Sequence, residues 1–149
     1  MKSNYQRTAE WLAACGKLPS VANASLQIGC DIEEGVEFLE LLDLDDKGDD
    51  HLLRTAIYNL TVIANKLKKG DAIACIADFN RENALDALCD REVTGNGVAY
   101  LSGFDKITAD ELVLLANERK LVDGKPVIKE GGKIGKPEGW VAADLSDCV

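Results

Sequence analysis

The chain has 149 residues, 46% of them hydrophobic and 29% charged, enough for a packed core without disulfide staples and incompatible with a disordered polymer. With 26 acidic against 17 basic residues, a net charge of −9 argues against nucleic-acid polymers and anionic membranes as main partners, yet leaves room for a small anionic ligand carried on a divalent metal. Five scattered cysteines without a C-x-x-C pair, no apolar signal core near the start and no membrane-length apolar run predict a reduced, cytoplasmic protein.

Few aromatics and many Ala and Leu favour helices packed on helices. The expectation is an all-α fold, an antiparallel helical bundle over residues 1–121 with an irregular C-terminal tail over 122–149, together one domain. Residues 3 to 15 read as a short helix with Tyr5, Ala9, Leu12 and Ala13 on one side, closed by Cys15-Gly16 and Pro19. A second helix is predicted from near Ser20 to Leu44, where Gly29 and Gly35 mark either close helix contact or nothing.

Inside that helix stands the acidic run from Asp31 to Glu40. At about 100° per residue, Ile32, Val36, Phe38, Leu39 and Leu42 form an apolar arc, Glu33 and Glu40 lie on the far side, and Glu34 and Glu37 fall at the arc's edge. Three residues apart, these two can aim their carboxylates at one point. Hard oxygen donors at a core margin suit Mg²⁺ or Mn²⁺, which offset a charge otherwise costly to desolvate. A solvated acidic face is the plain alternative.

The loop from Asp43 to Asp50 has Asp43, Asp45 and Gly48 at positions a calcium-binding EF-hand would use. Lys47 stands where an oxygen ligand belongs and Arg54 where the closing Glu belongs, so a capped helix-to-helix connection is expected. From His51 to Lys69, Leu52, Leu53, Ala56, Ile57, Leu60, Ile63, Ala64 and Leu67 recur at three and four, and Gly70 ends the helix. His51 is the single histidine, so a serine–histidine mechanism has little to work with. The segment from Asp71 to Phe79 is ambiguous and is taken as a helical turn or two. Asn80 to Val93 is helical, with Glu82, Asp86 and Asp90 in one stripe and the latter two flanking Leu85, Leu88 and Cys89.

Gly95 and Gly97 predict a weak point or break, with a continuous, closely packed helix as the alternative. Thr108-Ala109-Asp110-Glu111 has the form of a capping box opening a helix that reaches Leu121. Beyond it, Asp123-Gly124 is a turn, Gly131-Gly132 lies at the tip of a small hairpin, and Trp140 anchors the tail.

Glu34 and Glu37 on one helix and Asp86 and Asp90 on another make four carboxylates on two acidic edges, the arrangement bundles use for carboxylate metal sites. Glu33-Glu34-x-x-Glu37, followed by a second acidic helical motif, resembles the EExxE signature of the all-α nucleoside triphosphate pyrophosphohydrolases, the MazG and phosphoribosyl-ATP pyrophosphohydrolase superfamily. The stretch Asn117-Glu118-Arg119-Lys120-Leu121-Val122-Asp123-Gly124-Lys125-Pro126-Val127, continuing to Gly132-Lys133-Ile134 and Lys136-Pro137, resembles the tail of phage and bacterial members.

The resemblance implies hydrolysis of a nucleoside triphosphate between its α and β phosphates, to a monophosphate and pyrophosphate, by a homodimer or homotetramer. It implies Mg²⁺ or Mn²⁺ held by Glu34, Glu37, Asp86 and Asp90, a proton acceptor at Glu33 or Glu37, and phosphate contacts from Asn117, Arg119, Lys120 and Lys125. The usual E-x-x-D pattern would place Glu at position 87, where this chain has Ala87. Asp86, one residue earlier, keeps a carboxylate on the same helix face. A catalytically silent nucleotide-binding or regulatory protein of the same fold is the alternative.

Overall fold

Side chains that cap backbone N–H groups set where most helices begin in the computed structural model, which describes residues 2–149. Ser3 opens α1 (Asn4–Ala14) in a capping box with Gln6, Ser20 opens α2 (Val21–Glu40), and Asp46 opens α3 (Lys47–Lys69). Asp105 opens α5 (Lys106–Glu118), whereas α4 (Arg81–Leu101) grows out of a 3₁₀ turn at Asp78–Asn80 without a side-chain cap. The fold is all-α: besides these helices, the described residues hold one two-stranded hairpin, β1 (Leu121–Val122) against β2 (Lys125–Pro126). No helix is long and apolar enough to cross a membrane, among the described residues.

Several boundaries differ from expectation for local reasons. The Asp46 carboxylate accepts from the backbone N–H groups of Gly48 and Asp49, so α3 starts at Lys47 and the acidic connection is shorter than expected. Asp105 wins the cap of α5 over Thr108, because its carboxylate accepts from both the backbone N–H and the hydroxyl of Thr108, at 3.1 and 2.6 Å. The segment 73–77 has no regular secondary structure, the expected helical turn being confined to Asp78–Asn80, and its Ala74 N–H donates to the buried Ser25 hydroxyl at 2.9 Å. Helix α4 runs unbroken through Gly95 and Gly97, and a Cβ at either would meet nothing within 4 Å. Two glycines cost about 1 kcal/mol each against Ala, too little to interrupt a ladder already nucleated on both sides.

The chain divides into two compact units, with residues 129–133 of the tail grouped in one and the rest of the tail in the other. One unit comprises Leu18–Cys75 and Lys129–Lys133. In it, α2 and α3 pack as an antiparallel pair around Ser25, Gly29 and Val36 of one helix and Ile57, Ala64 and Leu67 of the other. The contact is close because small residues make it: a Cβ on Gly29 would stand 2.9 Å from Leu67 Cβ and 3.0 Å from the Ala64 carbonyl oxygen.

The other unit comprises Met1–Lys17, Ile76–Ile128 and Ile134–Val149. Arg7 ties α1 to α5 by donating to both carboxylate oxygens of Glu118, at 2.9 and 3.0 Å, and to Glu111. The bonds to Glu118 dominate the rise of the guanidinium pKa above its ordinary value. Trp140 anchors the tail, as expected, donating its indole N–H to the Ala116 carbonyl at 2.7 Å. The expected hairpin residues contribute a bridge between Ile128 and Ile134, while the paired strands flank Asp123-Gly124, whose φ values of 51° and 72° suit a tight two-residue turn.

Candidate functional site

The site is built from the C-terminal half of α2 outward. The apolar arc expected there is only partly buried: Val36 lies in the helix contact, but Phe38 is 48% exposed. The buried stripe runs instead through Ser25, Gly29 and Val36, which turns Glu33 toward α3 rather than to the far side of the helix. There its carboxylate accepts from two ammonium groups. Lys68, near the end of α3, bonds one oxygen, and Lys133, one hundred residues along the chain, bonds the other at 2.6 Å.

Lys133 reaches this position through a tight turn over 129–133. The Lys129 N–H donates to the Lys133 carbonyl at 2.8 Å, and the Gly132 N–H donates to the Lys129 carbonyl at 3.0 Å. Gly131 has φ 75°, and a Cβ there would lie 2.6 Å from the Lys68 carbonyl oxygen. Glycine is required twice over at that point, by backbone conformation and by the closeness of the helix end.

Electrostatics follow from this clustering. Burial pushes the Glu33 pKa up, but the hydrogen bonds from Lys133 and Lys68 outweigh it, so the carboxyl sits below its ordinary value. Burial also acts to lower the Lys133 pKa, and the bond to Glu33 reverses this and leaves it raised. Burial raises the Cys30 thiol beside the same cluster, against the pull of Lys133. Glu33 is thus a held anion with weakened basicity, which fits an anchor better than the proton acceptor expected of it.

Glu34 and Glu37 are both exposed on α2, three residues apart as the motif requires. Asp86 and Asp90 are exposed on α4, in the other unit. Among the described residues, no group of three or more His, Cys, Asp or Glu side chains is spaced to hold a metal. Mg²⁺ is commonly held by one or two carboxylates together with waters and substrate phosphates, and the Glu34–Glu37 edge fits that mode.

The expected phosphate-binding residues separate into two settings. Asn117 donates to the Val113 carbonyl and accepts from the Lys120 ammonium at 2.7 Å, and that ammonium stands 5.8 Å from the Trp11 ring centre and 5.4 Å from that of Trp140. Lys136 covers Trp140 too, at 4.7 Å, so these cations stabilise the anchor of the tail. Arg119 and Lys125 are exposed. Arg119 borders an open cleft of about 240 Å³ with Val122, Pro137, Glu138 and Trp140, smaller than the ~300 Å³ at which ligand pockets usually begin.

Lys68 and Lys133 were not among the phosphate contacts that the resemblance implied, although Lys133 lies within the tail stretch that carries it. A further signal for Lys133 is the Lys-Glu-Gly-Gly-Lys run, whose paired glycines permit a turn tight enough to lie against another backbone. A scan against protein-family models, a search of curated proteins and a search of solved structures each returned no match.

Proposed function

We propose that the chain is a metal-dependent nucleotide pyrophosphohydrolase that cleaves a nucleoside triphosphate between its α and β phosphates. The observation that carries the reading is the exposed Glu34–Glu37 pair on α2, set next to a carboxylate already neutralised by two lysines. An oxygen-donor edge and a cationic spot side by side are what a metal-bound polyphosphate needs. Asp86 and Asp90 form a second acidic pair on α4, within the other unit.

When bound, Mg²⁺ or Mn²⁺ would screen the phosphate charge and lower the pKa of the attacking water. Glu37 is the base of choice, since Glu33 is committed to its lysines. A homodimer or homotetramer belongs to the same proposal. Helix α4 buries only Ala99 of its 21 residues, while Leu85, Leu88, Val93 and Leu101 are all more than half exposed. A helix apolar on several sides is ordinarily covered, and a second copy supplies the cover.

The test is pyrophosphate release from a panel of ribo- and deoxynucleoside triphosphates with Mg²⁺ or Mn²⁺, for wild type and Glu37→Gln. Turnover that falls by about 100-fold or more in the variant supports the reading. Ala87, where the motif would have Glu, motivates the second reading of a silent nucleotide-binding protein. A wild type that binds nucleotide but releases no pyrophosphate selects it.

A further inference from the structure

We propose that Lys133 and Lys68 are the polyphosphate-binding cations of this site, gathered beside the Glu34–Glu37 edge by Glu33, which acts as their tether. The inference rests on the hydrolase reading for the identity of the anion. Its warrant is the way the three charges are assembled.

Two ammonium groups share one carboxylate, leaving a net charge of +1 in a chain whose overall charge is −9. The two lysines come from elements far apart in sequence, the end of α3 and the 129–133 turn. Such convergence is not needed to satisfy Glu33, for which one lysine would suffice. The turn is also fitted to its place: the left-handed Gly131 lies against the Lys68 carbonyl, so backbone closure delivers Lys133, and a long side chain reaching across open surface does not.

The two lysines differ in how they can meet a ligand. The Lys68 side chain is 13% exposed and the Lys133 side chain 43%, so Lys133 is open to an arriving anion while Glu33 holds its other side. An ammonium has three N–H donors, and the Glu33 bond uses one of them. Lys133 also lies within electrostatic reach of Glu34 and Cys30 as well as Glu33. A phosphate chain carried on metal at the Glu34–Glu37 edge would therefore find this ammonium alongside. Glu33 fixes the lysines in advance, which lowers the ordering cost on binding. Lys133 is thus a substrate-binding residue and Glu33 a positioning residue.

The experiment measures binding of inorganic tripolyphosphate with Mg²⁺ to the full chain by calorimetry, and KM and kcat on the best nucleotide. Lys133→Met should weaken tripolyphosphate binding by about tenfold or more and raise KM with kcat little changed, and Lys133→Arg should restore most of the affinity. Glu33→Gln keeps both ammonium groups while loosening their tether. It should lower the urea midpoint while weakening tripolyphosphate binding by less than Lys133→Met does, a separation that a purely structural clamp would not produce. No tripolyphosphate binding by wild type, unchanged binding in Lys133→Met, or parallel loss of binding and stability in both variants would overturn the inference. A chain that hydrolyses nucleotides with a KM insensitive to Lys133 keeps the hydrolase reading and loses this one. A chain that hydrolyses nothing but binds tripolyphosphate through Lys133 does the reverse.

Discussion

Gly29→Ala adds one methyl group at the point where α2 and α3 approach, and the structure gives its surroundings: Leu67 Cβ at 2.9 Å, the Ala64 carbonyl oxygen at 3.0 Å and Lys68 Cγ at 3.1 Å. The first two are set by the backbone of α3 and cannot turn aside, so the helices must separate. Forcing an extra carbon into a fitted contact costs about 1–3 kcal/mol, while removing glycine from a helix interior returns about 0.5–1 kcal/mol. The net expectation is a loss of about 1–2 kcal/mol. Gly35→Ala, on the same helix, meets nothing within 4 Å and should gain the helix term alone, about 0.5–1 kcal/mol. The two variants therefore shift stability in opposite directions, by about 2 kcal/mol between them. With a urea slope of about 1–2 kcal/mol per molar, their midpoints should differ by about 1–2 M, measured by helical circular dichroism. Equal midpoints, or a Gly29→Ala chain the more stable of the two, would refute the small-residue account of this contact. Because Lys68 is among the displaced groups, the same variant should also loosen the hold on Glu33.

Glu33→Gln tests the lysine tether through pH. The folded-state pKa of Glu33 is depressed, so its contribution is complete above the ordinary glutamate value of about 4.3 and is lost as pH falls through the folded value. Near neutrality the variant should be less stable by about 1–2 kcal/mol, between the values for exposed and buried pairs, and the gap should close at the acid end of a urea series from about pH 7 to pH 3. A gap independent of pH contradicts the ion-pair origin. Ser25→Ala removes a fully buried hydroxyl that accepts from the Ala74 N–H. Leaving that donor unpaired should cost about 1–3 kcal/mol, and amide exchange at Ala74 should quicken; unchanged protection there would rule out the bond as the anchor of the segment before α4.

The helices were largely legible because their signals are local. Leucines and alanines at three and four outlined α3, and Gly70 marked its end. Where two caps competed within one turn, the reading failed: Thr108 has Glu111 three residues on, yet Asp105 offers a carboxylate that binds two donors of Thr108 at once. The glycines of α4 predicted a break that a long helix absorbs. At the candidate site, the spacing of Glu34 and Glu37 was readable because three residues of helix always bring two side chains to one edge. The setting of Glu33 was not, since the hydrophobic arc pointed the helix by bulk whereas the contact is made by Ser25 and Gly29.

Sequence by itself determined an acidic all-α chain with capped helices and paired carboxylates, because periodicity, capping and charge act within a few residues. Tertiary structure alone decided that Glu33 meets Lys68 and Lys133, since that meeting depends on how closely two helices approach and on a glycine turn, beside a lysine one hundred residues from Glu33, laid against a helix end. No local pattern encodes a distance across space; only the packing that excludes every bulkier arrangement sets it.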